Sequence, residues 1–287
     1  GVQTCALPIS SGNYNTAIGQ SAGGSTVDSL YNVLVGYNTG GGADLNNKNT
    51  AVGYQSMGSS SGGYNSAFGA HSLCAATNSS GKNTALGHRS MTGTTTGLQN
   101  TASGYGSLRC NTSGCNNTAS GFEALRTNTT ANFNIAVGAC SLYANTTGAG
   151  NVATGFKTLF ANTSGHYNTA SGYQALCGNT TGKCNTAVGG LALCANTTAC
   201  NNTAVGVSSL TNNTTGIINT AVGAKSMCAN TTGTRNSALG RSALAANTTG
   251  SCNVGVGYLA LYSNTTAVNN TASGSLALCG NTTGGGN

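Results

Sequence analysis

Apolar and polar positions follow one metre along this chain. An Ala stands between two hydroxyl or β-branched residues, a Gly follows, a Leu or Met comes four residues later, and an Asn-Thr-Thr stretch closes the unit. The unit opens at Asn15, Asn32, Asn49, Asn65, Asn83 and Asn100, then every seventeen residues from Asn117 to Asn270, with Asn287 as a stub. Only two of the intervals depart from seventeen. So short a period, held without helix-forming runs, predicts a solenoid in which one repeat makes one coil. The expected fold is all-β, a parallel β-solenoid or β-roll of about sixteen coils.

Counting columns 1 to 17 from the opening Asn gives each position a physical reading. Column 3 is Ala (Ala85, Ala102, Ala119, Ala136, Ala187, Ala204), and column 9 is Leu or Met (Leu108, Leu125, Leu142, Leu159, Leu176, Leu193, Leu210). One place that accepts a methyl group and another that accepts a long aliphatic chain describe a narrow interior of fixed width, so these two columns are the expected core. Gly in columns 5 and 15 fits corners that need positive φ. Asn in columns 1 and 12 suits the same corners, and stacked Asn side chains can bond amide to amide. Two strands per coil are expected, one over columns 2 to 4 and one over columns 8 to 10, each pairing in parallel with its copy in the next coil.

So thin an interior calls for a second buried surface. The face made by columns 2 and 4, where Thr, Ser, Val, Ile, Leu and Phe mix (Ile135 with Val137, Val254 with Val256, Phe68, Leu239), is the expected one. Packing several copies along it, as a trimer or a filament, would bury it.

The array covers residues 15–287. Residues 1–14 are set apart as a non-repeat leader. Its opening, Gly-Val-Gln-Thr-Cys-Ala-Leu-Pro-Ile-Ser, carries the only proline and resembles a translated sequencing-adapter remnant, with a genuine leader as the alternative. Because the repeats stop at Asn287 without a polar capping unit, the chain is expected to be a piece of a longer array.

Composition narrows the function classes. Charged residues make up 5% of the chain, against roughly 25% in average globular proteins, so solubility is expected from Asn, Thr, Ser and backbone. The net charge of +7 comes from ten Lys and Arg against Asp28, Asp44 and Glu123, thinly spread, which gives no clustered footprint for nucleic acid. No apolar run is long enough for a membrane span.

The Asn-Thr-Ala-Val-Gly strand, followed by Gly-x-x-Ser/Ala and a second glycine corner, resembles the head repeats of trimeric autotransporter adhesins and the repeat regions of tail-fibre-like proteins. The resemblance covers residues 15–287 and implies a left-handed parallel β-roll, three to an axis, at an extracellular, cell-surface or virion location. The Asn-Thr-Thr stretch makes this repeat longer than the adhesin one, which bears on handedness and trimer geometry.

Twelve cysteines are the strongest feature outside the metre. Three pairs straddle the Asn-Thr-Thr corner: Cys110 with Cys115, Cys177 with Cys184, and Cys194 with Cys200. A disulfide could staple each corner in an oxidising compartment. Cys177 and Cys194 also share a column in adjacent coils, a competing pairing, and outward free thiols are the plain alternative. With no C-x-x-C in the sequence, no metal site is expected.

Asn-x-Thr/Ser recurs in register at Asn111, Asn128, Asn145, Asn162, Asn179, Asn196, Asn213, Asn230, Asn247, Asn264 and Asn281. The row reads either as glycan acceptors or as a corner that favours Asn and Thr for turn and ladder reasons. Aromatic residues in column 6 (Tyr37, Tyr54, Tyr105, Phe122, Phe156, Tyr173, Tyr258) suit sugar stacking or the shielding of a corner. Thr ranks in column 2 invite an ice-ordering reading, which Phe68, Leu86 and Ser103 in column 4 interrupt.

No carboxylate pair, nucleophile with base and orienter, or phosphate loop stands out, and Gly255-Val256-Gly257 is the usual repeat with Gly in the Ala column. No catalysis and no cofactor are expected. The expected function is structural: a self-associating extracellular fibre segment, adhesin head or tail-fibre shaft, meeting surface glycans or a host surface. The alternative is a carbohydrate-binding or ice-binding module.

Overall fold

The structure, a computed structural model, describes residues 12–24, 29–41, 45–59, 62–75 and 81–287. Leader residues 1–11, including Cys5, and Asp28 and Asp44 lie outside the described residues. The fold is an all-β parallel β-solenoid of seventeen-residue coils, each contributing one three-residue strand at columns 2 to 4. The chain divides into two compact units, Gly1–Thr147 and Gly148–Asn287. The first holds strands β1 (Thr16–Ile18) to β8 (Ile135–Val137) and the second β9 (Val152–Thr154) to β16 (Thr271–Ser273), in sequence order within each unit.

Register is like on like. In the first unit Thr101, Ala102 and Ser103 face Thr118, Ala119 and Ser120. In the second, Thr186, Ala187 and Val188 face Thr203, Ala204 and Val205. The two irregular intervals leave this intact, since Thr50 still pairs with Ser66 and Ser66 with Thr84. Residues 12–14 already follow the array. Tyr31 N–H donates to the Asn13 carbonyl at 3.3 Å, and Tyr14 and Tyr31 stack at 4.9 Å.

The expected core is the observed one. Every column 3 Ala and column 9 Leu named above is fully buried, from Ala85 to Ala204 and from Leu108 to Leu210. Column 8, Ser, Ala or Thr, is buried beside them, as at Ala124, Ser141, Thr158, Ala192 and Ser209.

Among the described residues the second strand expected over columns 8 to 10 is absent, and backbone geometry gives the reason. Columns 7 and 9 are left-handed, with φ 51° and 52° at Gln174 and Leu176 and 59° and 51° at Leu191 and Leu193. An extended strand would point columns 8 and 9 to opposite faces. The left-handed turns let both point inward, at roughly 1 kcal/mol per non-glycine residue, which the burial of each Leu offsets. The turns still ladder from coil to coil: Leu193 N–H donates to the Ser209 carbonyl at 3.0 Å.

Column 5 glycines do need positive φ, from 124° to 138°. A Cβ on Gly206 would lie 2.6 Å from the Gly223 carbonyl carbon and 2.7 Å from its oxygen. Gly206→Ala is expected to destabilise the second unit by about 2–4 kcal/mol, through the forbidden φ and the displaced backbone. Thermal melting followed by circular dichroism checks this, and a wild-type midpoint would refute the close-approach account.

Column 15 corrects the other glycine expectation. Gly165, Gly182 and Gly216 lack positive φ, and Ala131, Ala199 and Ala267 fill the same column. The left-handed residue of that corner is in column 17, at Tyr167, Cys184 and Ile218. Column 15 matters for its carbonyl, which the Asn side chains use.

Candidate functional site

The two Asn columns, expected to coat the coil as well as ladder it, are interior. Asn185 Nδ2 donates to Asn168 Oδ1 at 3.1 Å and to the Ala199 carbonyl at 2.8 Å, while its Oδ1 accepts the Asn202 N–H at 3.0 Å. In column 12, Asn196 Nδ2 donates to Asn179 Oδ1 at 2.8 Å and to the same Ala199 carbonyl at 3.2 Å. Two amide ladders therefore converge on one column 15 carbonyl per coil. Such buried polar rows hold because each member is satisfied.

This geometry corrects the glycan reading. Asn111, Asn128, Asn145, Asn162, Asn179, Asn196, Asn213, Asn230, Asn247 and Asn264 are fully buried. A glycan on Nδ2 would need the nitrogen that the ladder uses. The half-buried Asn281 is engaged in the same way, its Nδ2 donating to Asn264 Oδ1 and to the Gly284 carbonyl. The Thr that follows serves the corner too: the N–H groups of Thr180, Thr181 and Gly182 all aim at the Thr197 carbonyl, at 2.8, 3.2 and 3.4 Å, and Thr180 Oγ1 joins them at 3.1 Å.

Cys110, Cys115, Cys177, Cys184, Cys194 and Cys200 are all thiols, so the three corner staples are not formed. The sulfurs of column 16 point along the stack: Leu98 N–H donates to Cys115 Sγ at 3.3 Å, and Lys183 N–H to Cys200 Sγ at 3.2 Å. Neither is turned toward its expected mate, Cys110 or Cys194. Cys177 likewise turns from Cys184 to the next coil, where its Sγ lies 3.1 Å from Cys194 Sγ. Burial pushes the Cys74 thiol up from its ordinary value, whereas Cys194 is held down to about 7 by its hydrogen bond with Cys177.

Column 6 is a ring-on-ring row. Tyr37 stacks on Tyr54 at 5.3 Å, Tyr105 on Phe122 at 5.4 Å and Phe156 on Tyr173 at 5.7 Å, with interplanar angles of 9°, 10° and 16°. The faces are turned to one another along the coil direction, so a sugar ring would have to displace a neighbour. His71 and His88 complete the row in the first unit, 5.2 Å from Tyr54 and 5.4 Å from Tyr105. His88 sits in column 6 and signals this by position; His71 sits in column 7 of an irregular repeat and does not.

Among the described residues, Glu123 and Arg126 form an ion pair at 3.4 Å, and Arg126 also bonds the Tyr143 hydroxyl. A shallow apolar groove in the first unit is lined by Gly63, Tyr64, Gly81, Lys82, Leu98 and Gln99. No group of three or more His, Cys, Asp or Glu side chains comes together to hold a metal among the described residues. No helix among them is long and apolar enough to cross a membrane.

Neither the protein-family models nor the curated proteins compared with this chain give a match. The most distinctive surface of the array is the sheet face of columns 2 and 4. Ile135 and Val137 are 43% and 40% exposed there in the first unit, and Val188 and Leu239 are 40% and 52% exposed in the second.

Proposed function

We propose that the array is a structural, self-associating fibre segment of the kind found on cell surfaces or virions, with copies packed along the face of columns 2 and 4. The observation that supports this is the repetition of exposed Val, Ile, Leu and Phe side chains on that sheet face, in parallel register one coil apart. Exposed apolar positions that recur in line form a patch, and soluble monomers rarely leave a large one uncovered. A second copy presenting the same periodic face meets it in matching register over many coils, and the apolar contacts add up coil by coil. The adhesin-like and tail-fibre-like motif fits this reading.

Sedimentation velocity of the full chain at micromolar concentration tests it, with and without reductant. Trimers or larger species are expected in both conditions. Val188→Lys combined with Leu239→Lys is expected to shift the distribution toward monomer while preserving the circular dichroism spectrum, since both side chains already face solvent. A wild-type chain that sediments as a monomer refutes the proposal.

The second reading, an ice-ordering face, draws on Thr186, Thr203 and Thr220, which stand in register in successive coils. Thermal hysteresis by a monomeric array would favour it over the fibre.

A further inference from the structure

The sulfurs of Cys177 and Cys194 meet across a coil boundary, and no structural task described above uses them. Both residues are half-buried in column 10, next to the fully buried Leu176 and Leu193. Gly178 N–H donates to the Cys194 carbonyl at 2.9 Å, and Leu176 N–H to the Ala192 carbonyl at 2.9 Å, so backbone bonds fix the two coils on either side of the pair. Parallel neighbours in a ladder stand about 4.8 Å apart, inside the roughly 4.4–6.8 Å span between Cα atoms that a disulfide accepts. The Sγ atoms, 3.1 Å apart, need to approach by about 1 Å to reach bonding distance. The flanking column 10 residues are Phe160 and Thr211, so no third thiol competes within the column.

We propose that Cys177 and Cys194 form a thiol–disulfide exchange site that closes into an inter-coil disulfide on meeting a small disulfide oxidant, for which oxidised glutathione is the probe. In the first step the Cys194 thiolate attacks one sulfur of the oxidant. The oxidant's S–S bond breaks, one glutathione thiolate leaves and takes up a proton, and a mixed disulfide remains on Cys194. In the second step Cys177 gives up its proton and its sulfur attacks Cys194 Sγ, expelling the second glutathione. The two cysteine thiols together lose two electrons and two protons, which the oxidant gains as two thiols.

The electrostatics agree with this order of attack. The hydrogen bond from Cys177 holds the Cys194 thiol down to about 7, so its thiolate is present at neutral pH and is lost as pH falls below that value. The same bond, together with burial, raises Cys177, which keeps it protonated until its turn as the resolving thiol. In a stack whose coils contact mainly their neighbours, such a bond ties two adjacent coils that could otherwise separate locally.

The test uses the full, reduced chain incubated with oxidised glutathione near neutral pH, acid-quenched, alkylated and mapped by tandem mass spectrometry. Peptides joined through Cys177 and Cys194, lighter by two hydrogens, are expected to accumulate ahead of adducts at Cys184 and Cys200. The thermal midpoint should rise by about 5 °C or more and return on reduction. Cys177→Ser should trap a lasting glutathione adduct on Cys194, while Cys194→Ser should leave Cys177 largely unmodified. Adducts that persist on both wild-type cysteines without cross-linking, a cross-link to another cysteine, or a Cys177→Ser chain with no adduct on Cys194 would each overturn the proposal. None of these readouts depends on self-association, so its failure and that of the fibre reading are separable.

Discussion

Leu193→Asp is expected to open the stack around its own coil and lower the stability of the second unit by about 5 kcal/mol or more. Leu193 is fully buried, with Leu176 one coil before it and Leu210 one coil after, both fully buried as well. Its backbone is committed in both directions: its N–H bonds the Ser209 carbonyl at 3.0 Å, and its carbonyl accepts the Asn196 N–H at 3.1 Å. A carboxylate in this seam would find aliphatic side chains and Ala methyls instead of a cation, so its desolvation goes uncompensated. The lost burial of the Leu adds about 2 kcal/mol, and the left-handed φ of 51° is then left without the contact that offsets it. Because repeats interact mainly with their neighbours, the damage should be local. Hydrogen exchange should show residues 185–211 losing protection while distant coils of the unit keep theirs. Leu193→Ala, which leaves a cavity without a charge, should cost about 3 kcal/mol. A Leu193→Asp chain that melts with the wild type would remove column 9 from the core.

The metre made the register and the core readable, because only a stack of like on like lets Ala and Leu recur in fixed columns with no compensating change. The path between those columns was not readable. Columns 8 and 9 are both inward-facing, as Ala192 with Leu193 and Ser209 with Leu210, and two buried neighbours in a row contradict the alternation of a strand. That was the available signal. It is obscured because the left-handed residues that resolve the contradiction are Gln174, Lys157, Leu191 and Ser208, not the Gly or Asn that normally mark such a backbone. Column 15, where Gly is frequent, misled for the opposite reason: its role lies in the carbonyl and the space around it.

The side chains of the surface and the ladders show the same limit. Periodicity says that Asn168, Asn185 and Asn202 are equivalent, and amide stacking follows from that equivalence. It does not say on which side of the wall they stand, and polarity alone favours the outside. The buried answer depends on the column 15 carbonyl being within reach of both ladders, a tertiary fact. For the cysteines, sequence proximity across a corner suggested partners, while the stack brought residues seventeen apart into contact instead. In a solenoid the nearest neighbour of a side chain is its own copy in the next coil.

The ladder's dependence on amide direction leads to the second large effect, that of Asn185→Asp. Asn185 Nδ2 stands 2.8 Å from the Ala199 carbonyl and 3.1 Å from Asn168 Oδ1, so the substitution puts an oxygen against two acceptors in a fully buried place. As a carboxylate it loses two hydrogen bonds and carries an unpaired charge, which should cost about 4 kcal/mol or more at neutral pH. As a neutral acid its O–H can donate to one of the two oxygens, and the cost falls. Burial without a cation therefore raises the folded-state pKa of the new Asp above its unfolded value of about 3.9. The stability carried by the protonated form is fully present below that unfolded value and is lost as pH rises through the folded one. The variant should melt closest to the wild type in acid and fall progressively behind it toward neutrality. Asn116→Asp supplies the contrast, because column 17 is exposed there and the backbone is already left-handed with φ 57°, which Asp tolerates. Its stability should stay within about 0.5 kcal/mol of the wild type at every pH. If Asn185→Asp shows the same flat profile as Asn116→Asp, the amide ladder is not what holds successive coils in register, and the work would have to be assigned to the backbone bonds alone.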